Sequence, residues 1–83
     1  MAQRNKPSAA FIPNDLGFHA LVFDEADVVR LLRAAVEREG GQSAFAKHHG
    51  VARAYLNMVL NGKRAVGDSI AGVIGLRKVY IAQ

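Results

Sequence analysis

The chain has 83 residues, 51% of them hydrophobic and 22% charged, which suits one small folded domain and excludes a disordered polyelectrolyte. It has no cysteine, so disulfides and cysteine-rich metal sites are excluded, and no apolar run approaches the ~18 residues of a membrane span. The net charge of +4 is unevenly placed: residues 1–39 carry five Lys/Arg and six Asp/Glu, whereas residues 40–83 carry six Lys/Arg and one Asp. A basic half beside a nearly neutral one points to a surface for a polyanion.

Residues 1–17 contain Pro7, Pro13, Asn14 and Gly17 without apolar periodicity, and read as a mobile tail preceding one domain over 18–83. Arg4 and Lys6 in it suit either a solvated tail or a basic arm. The first 15 residues lack a continuous apolar core followed by a small-residue cleavage site, so the expectation is a cytoplasmic protein with no secretory signal.

The run His19-Ala20-Leu21-Val22-Phe23 has the length and composition of a short strand. Asp24 then has the character of a helix N-cap, with Asp27 in the first turn. Val28, Leu31, Leu32, Ala35 and Val36 recur at helical spacing, with Arg30, Arg33, Glu37 and Arg38 opposite them, until Gly40-Gly41 ends the helix. A second short helix is predicted over 42–49, broken by Gly50, and a third over 52–61, stopped at Asn61-Gly62. Lys63 to Gly67 reads as a loop. Asp68 or Ser69 can cap a fourth helix through Ile74, weakened by Gly72. Residues 78–82 read as a closing strand with Val79 and Ile81 on one face, able to pair with 19–23 in a small two-stranded sheet. The predicted fold is mainly α, with four to five helices.

The segment from Gln42 to Gly62 carries the most information. Two short helices joined by a tight turn need a small residue where they cross, and Ala46 supplies it. The turn needs a residue that tolerates positive φ, which Gly50 does. Val51 suits the inward position after the turn. Leu56 and Val59, three apart, give the next helix a buried stripe opposite Phe45. Of seven places that such a helix-turn-helix keeps apolar or small, six fit and His49 does not.

On these residues, the chain resembles the Cro/repressor-like helix-turn-helix family of phages and bacteria. Gln-x-x-Phe-Ala-x-x-x-Gly-Val over 42–51 and Tyr-Leu-x-x-Val-Leu-Asn-Gly-Lys-Arg over 55–64 carry the resemblance, which spans about 24–76. It implies a repressor-like regulator whose second motif helix enters the major groove of double-stranded DNA, the subunits pairing as a homodimer on a palindromic operator. It assigns the Gln42 side chain to contacting a phosphate or orienting a base contact, and the backbone amides of Gln42 and Ser43 to phosphate. Arg53 and Ala54 are assigned to base edges, Arg53 toward guanine and Ala54 toward a thymine methyl. Asn57 and Met58 lie one turn further as secondary contacts, and Lys63 and Arg64 meet backbone phosphate. Three departures stand out. His49 replaces an apolar residue and is either buried or partly exposed. Ala52 replaces the usual Ser or Thr cap. Leu60 replaces a charged residue, as either a core contact or part of a subunit interface. Tyr55 suits equally a phosphate contact and packing beneath the reading helix.

Other chemistries fare worse. His48 and His49 are adjacent on a helix and point ~100° apart, with no acid at useful sequence spacing, so neither a metal nor another cofactor is expected. Asp24, Glu25 and Asp27 sit where a helix dipole favours acids, which makes them capping groups rather than an acid–base pair. Ser43 lacks a nucleophile-elbow context, and Gly72-Val-Ile-Gly75 lacks the setting of an RNA-binding loop. No catalytic constellation remains, so an enzyme is not expected. The competing expectation is a protein-interaction module on the same helical core, such as an antitoxin with a partner protein.

Overall fold

The computed structural model describes residues 8–14 and 21–81. Strand β1 (Ser8–Pro13) is followed by helices α1 (Glu25–Arg38), α2 (Gln42–His49), α3 (Arg53–Leu60) and α4 (Asp68–Val73), then by strand β2 (Leu76–Ile81). The mainly helical class with a small two-stranded sheet is as the sequence predicts, with four helices among the described residues. Helix α4 starts at Asp68 after Gly67 with no side-chain cap, so neither Asp68 nor Ser69 is its N-cap.

Helix α1 begins in a capping box. The Asp24 carboxylate accepts from the Asp27 amide at 2.8 Å, and the Asp27 carboxylate accepts from the Asp24 amide at 3.3 Å. Two otherwise orphaned donors are thereby satisfied. The helix buries Val28, Leu32, Ala35 and Val36. Leu31, expected in the same stripe, is 41% exposed. Two polar residues of α1 also reach across the fold. Arg33 donates to the Leu60 carbonyl at 2.7 Å, and Glu25 accepts from the Val66 amide at 2.8 Å. Arg33 therefore ties α1 to the C-terminal end of α3, and Glu25 fixes the loop beyond it.

Gly50 sits at φ 66°, the left-handed conformation that lets α2 stop and the chain turn within three residues into α3. The core gathers Phe45 and Ala46 from α2, Leu56, Val59 and Leu60 from α3, Val66 from the loop, and Ile70 and Ala71 from α4. Val51 packs against this cluster from the turn. Leu60 is thus a core residue, which resolves its two sequence readings.

The sheet departs from expectation in its first strand. Its partner for β2 is Ser8–Pro13, inside the stretch read as a tail, and not residues 19–23. The strands are antiparallel, with Ala10 opposite Val79 and Phe11 opposite Lys78. Of the expected strand, His19 and Ala20 lie outside the described residues. Leu21 and Val22 are 61% and 58% exposed. Phe23 keeps only a single bridge to Phe11, through reciprocal backbone hydrogen bonds of 2.9 and 2.7 Å. The physical reason is burial. Phe11 is completely enclosed by the core and, with Leu76, supplies the apolar face that lets a two-stranded ribbon persist. Pro13 is tolerated because it ends the strand, where a missing amide breaks no interior ladder. Val79 is half-buried and Tyr80 exposed. Ala82, the last residue of the predicted closing strand, lies outside the described residues, as do Arg4 and Lys6 of the tail.

Candidate nucleic-acid interface

The candidate surface is built where the N-terminal end of α2 meets the middle of α3, Gln42 lying against Asn57. Neither helix has a side-chain cap at its start: Gly41 precedes α2, and Ala52 precedes α3 in an extended conformation with no side-chain hydrogen bond. The first backbone amides of both helices therefore lack a capping side chain, the condition under which a helix end can take an anionic oxygen. Gln42 and Ser43 occupy the first positions of α2, Gln42 half-buried and Ser43 exposed.

Along α3, Arg53, Ala54 and Asn57 are exposed and Met58 is half-buried. These four line one shallow depression. The opposite stripe of α3, Leu56, Val59 and Leu60, is in the core. No acid forms a salt bridge with Arg53 among the described residues, so its guanidinium is not committed to an internal ion pair.

A polar chain links the two helices. The Asn57 amide nitrogen donates to Gln42 Oε1 at 3.2 Å, and Asn57 Oδ1 accepts from the Asn61 amide nitrogen at 3.1 Å. Gln42 thus touches α3 directly, and Asn57 is held from both sides. Asn61 is not among the residues the motif assigns to DNA, although its spacing of four from Asn57 is the available signal.

Lys63 and Arg64 follow α3 and are exposed. The loop carrying them is fixed at its start by the end of α3, where Gly62 donates to the Val59 carbonyl at 3.1 Å and Lys63 to that of Met58 at 2.8 Å. This pair of bonds is a Schellman closure, and Gly62 at φ 75° permits it. Tyr55 fixes the far end. Its hydroxyl accepts from the Gly67 amide at 3.1 Å and donates to the Ala65 carbonyl at 3.5 Å. The Arg64 guanidinium lies 5.4 Å from the Tyr55 ring centre, in cation–π range. Tyr55 therefore anchors the loop, the packing alternative of its two sequence readings. A Cβ at Gly67 would meet the Tyr55 oxygen at 2.7 Å, so a side chain there would displace the hydroxyl from this contact.

His49 is half-buried, its ring centre 4.5 Å from that of Phe45. Both His48 and His49 contact Glu39, the residue that ends α1. A sequence separation of nine and ten residues conceals this neighbour, and the expectation that no acid stands near the two histidines is corrected. Hydrogen bonding from His49 first and His48 second holds the Glu39 carboxyl below its ordinary value.

Among the described residues no helix is long and apolar enough to cross a membrane. Compared with known proteins, the chain matches no family model, no curated protein and no solved structure.

Proposed function

We propose that this protein is a sequence-specific regulator of the Cro/repressor-like type that binds double-stranded DNA as a homodimer, with α3 reading the major groove. The observation that carries the reading is the division of α3 into two faces. One face is buried in the core, while Arg53, Ala54 and Asn57 are exposed beside Gln42 at the uncapped start of α2. A reading helix needs this separation, because side chains aimed at base edges cannot also hold the fold together. Arg53 supplies the bidentate donor suited to guanine, and Ala54 the small apolar contact suited to a thymine methyl. Gln42 steadies Asn57, while Ser43, Lys63 and Arg64 take phosphates and set the register. Met58 flanks the base contacts at the rim.

Repression follows from occupancy: a dimer on two half-sites ~34 Å apart excludes other proteins from the DNA it covers. The mechanism uses no cofactor and no catalytic step, and its setting is the cytoplasm, on the nucleoid. The test is selection from a random duplex pool by the purified protein at ~0.15 M salt, where non-specific binding is weak. A palindromic sequence is the expected product. A pool without enrichment would end the proposal.

A second reading, a protein-interaction module of the antitoxin kind, is favoured by a different observation. Leu21, Val22 and Leu31 are exposed together around one depression on the side of α1. Co-purification of a stoichiometric partner, abolished by Leu21→Asp, would favour it.

A further inference from the structure

We propose that Glu39, His48 and His49 form a binding site for a divalent transition-metal ion of the zinc class. The three residues come from the C-terminal ends of α1 and α2, two helices joined by Gly40 and Gly41. Glu39 closes α1, and His48 and His49 form the last turn of α2. Glu39 Oε1 lies 2.9 Å from His48 Nδ1, and both Glu39 oxygens lie 2.9 Å from His49 Nε2. One donor atom from each residue falls within 4.8 Å of the others. Zinc bonds of ~2.0–2.1 Å in tetrahedral geometry put donors ~3.3 Å apart, inside the span these atoms already cover. Small rotations of the side chains would seat the ion.

Three further features favour a cation here. Carbonyl ends of two helices converge on the site, and each contributes partial negative charge. Glu39 adds a full one. The His49 ring is braced against Phe45 at 4.5 Å, so one ligand is oriented before the ion arrives. Two imidazoles and one carboxylate select zinc, copper(II) or nickel over magnesium and calcium, which require oxygen donors. His48 is exposed, leaving room for water as the remaining ligand. A bound ion would clip the end of α1 to the end of α2 and so stiffen the approach to the turn at Gly50. The proposal stands on these three side chains and is independent of any DNA contact.

The test is calorimetric titration of the whole chain with zinc chloride, near neutral pH and in a buffer that does not chelate. One saturable site per chain is expected, unaffected by excess magnesium. Glu39→Gln and His49→Gln should each weaken it at least ~10-fold, the scale of removing a metal-site interaction. His19→Gln removes the remaining histidine of the chain and should leave affinity and stoichiometry unchanged. Histidine ring resonances of the unsubstituted protein provide a readout that depends on no variant: those of His48 and His49 should shift together on zinc addition, ahead of His19. The proposal is overturned by the absence of a saturable site, by affinity in Glu39→Gln and His49→Gln equal to that of the unsubstituted protein, or by a zinc response centred on His19.

Discussion

At the scale of single residues, the candidate interface separates groups that read from groups that hold. Arg53 has no acid bonded to it among the described residues, and its neighbours Ala54 and Asn57 are exposed with it. Replacing Arg53 with Ala should cost ~1–3 kcal/mol of binding to the selected site and relax preference at one base position. Comparing the variant on single-base-substituted duplexes checks this, and a uniform weakening over every sequence would assign Arg53 to phosphate instead. Asp24 and Asp27 are holding residues, each carboxylate accepting from the other's backbone amide at the start of α1. This box sets an acid dependence. The Asp24 backbone amide, and after it the Arg30 guanidinium, hold the Asp27 carboxyl below its ordinary value. A depressed acid stabilises the fold above its unfolded-state pKa, and that contribution disappears as pH falls through the folded-state value. Asp27→Asn should therefore flatten the acid limb of the stability curve below the ordinary aspartate range, with little change in the slope above it. Unfolding midpoints across that range provide the measurement.

At the scale of elements, what can be read in the sequence divides by how local the signal is. All four helices are legible because their signals lie within a few residues. The Asp24–Asp27 box, the Gly40-Gly41 stop, the Gly50 turn and the 56–59 stripe are of this kind. The strand pairing is not. Residues 19–23 have the better strand composition, yet Ser8–Pro13 is paired with β2 because Phe11 fits the core. A choice between two candidate strands is made by tertiary burial, which local composition does not encode. The exposed residues Arg53, Ala54 and Asn57 are legible from the motif, while the meeting of Glu39 with His48 and His49 is not. That contact depends on how the C-terminal ends of α1 and α2, two helices joined by Gly40 and Gly41, come together. Two variants test this level. Phe11→Ala should destabilise the fold by ~3–5 kcal/mol, as for an enclosed aromatic, whereas a solvated tail residue would change nothing measurable on denaturant unfolding. Ala52→Ser should do the opposite. Ala52 already has the extended backbone of an N-cap but offers no side-chain acceptor. A hydroxyl there should add ~1 kcal/mol to thermal or denaturant stability.

At the scale of the whole molecule, fold and charge are coupled by placement. The half of the chain from residue 40 onward carries the motif helices, the loop after them and six of the eleven Lys/Arg, against one acid. The acids of the other half are largely occupied: Asp24 and Asp27 cap α1, Glu25 secures the Val66 amide, and Glu39 meets two histidines. Arg53 on α3 and Lys63 and Arg64 in the loop after it are exposed, so the surface that presents α3 carries positive charge. Such a surface attracts a polyanion whatever its sequence, and each phosphate neutralised adds to the salt dependence of binding. Lys63 belongs to this general attraction. Its backbone is fixed by the closure of α3 while its side chain is exposed, so the charge is held in place without an internal role. Lys63→Ala should therefore leave stability unchanged and weaken binding to selected and unrelated duplexes by the same factor. It should also reduce the slope of log affinity against log salt by ~1 for each phosphate no longer neutralised. Affinities measured on both duplexes over a series of salt concentrations separate this role from base reading: an unchanged slope with altered sequence preference would move Lys63 into the groove, and a change in neither would remove it from the interface.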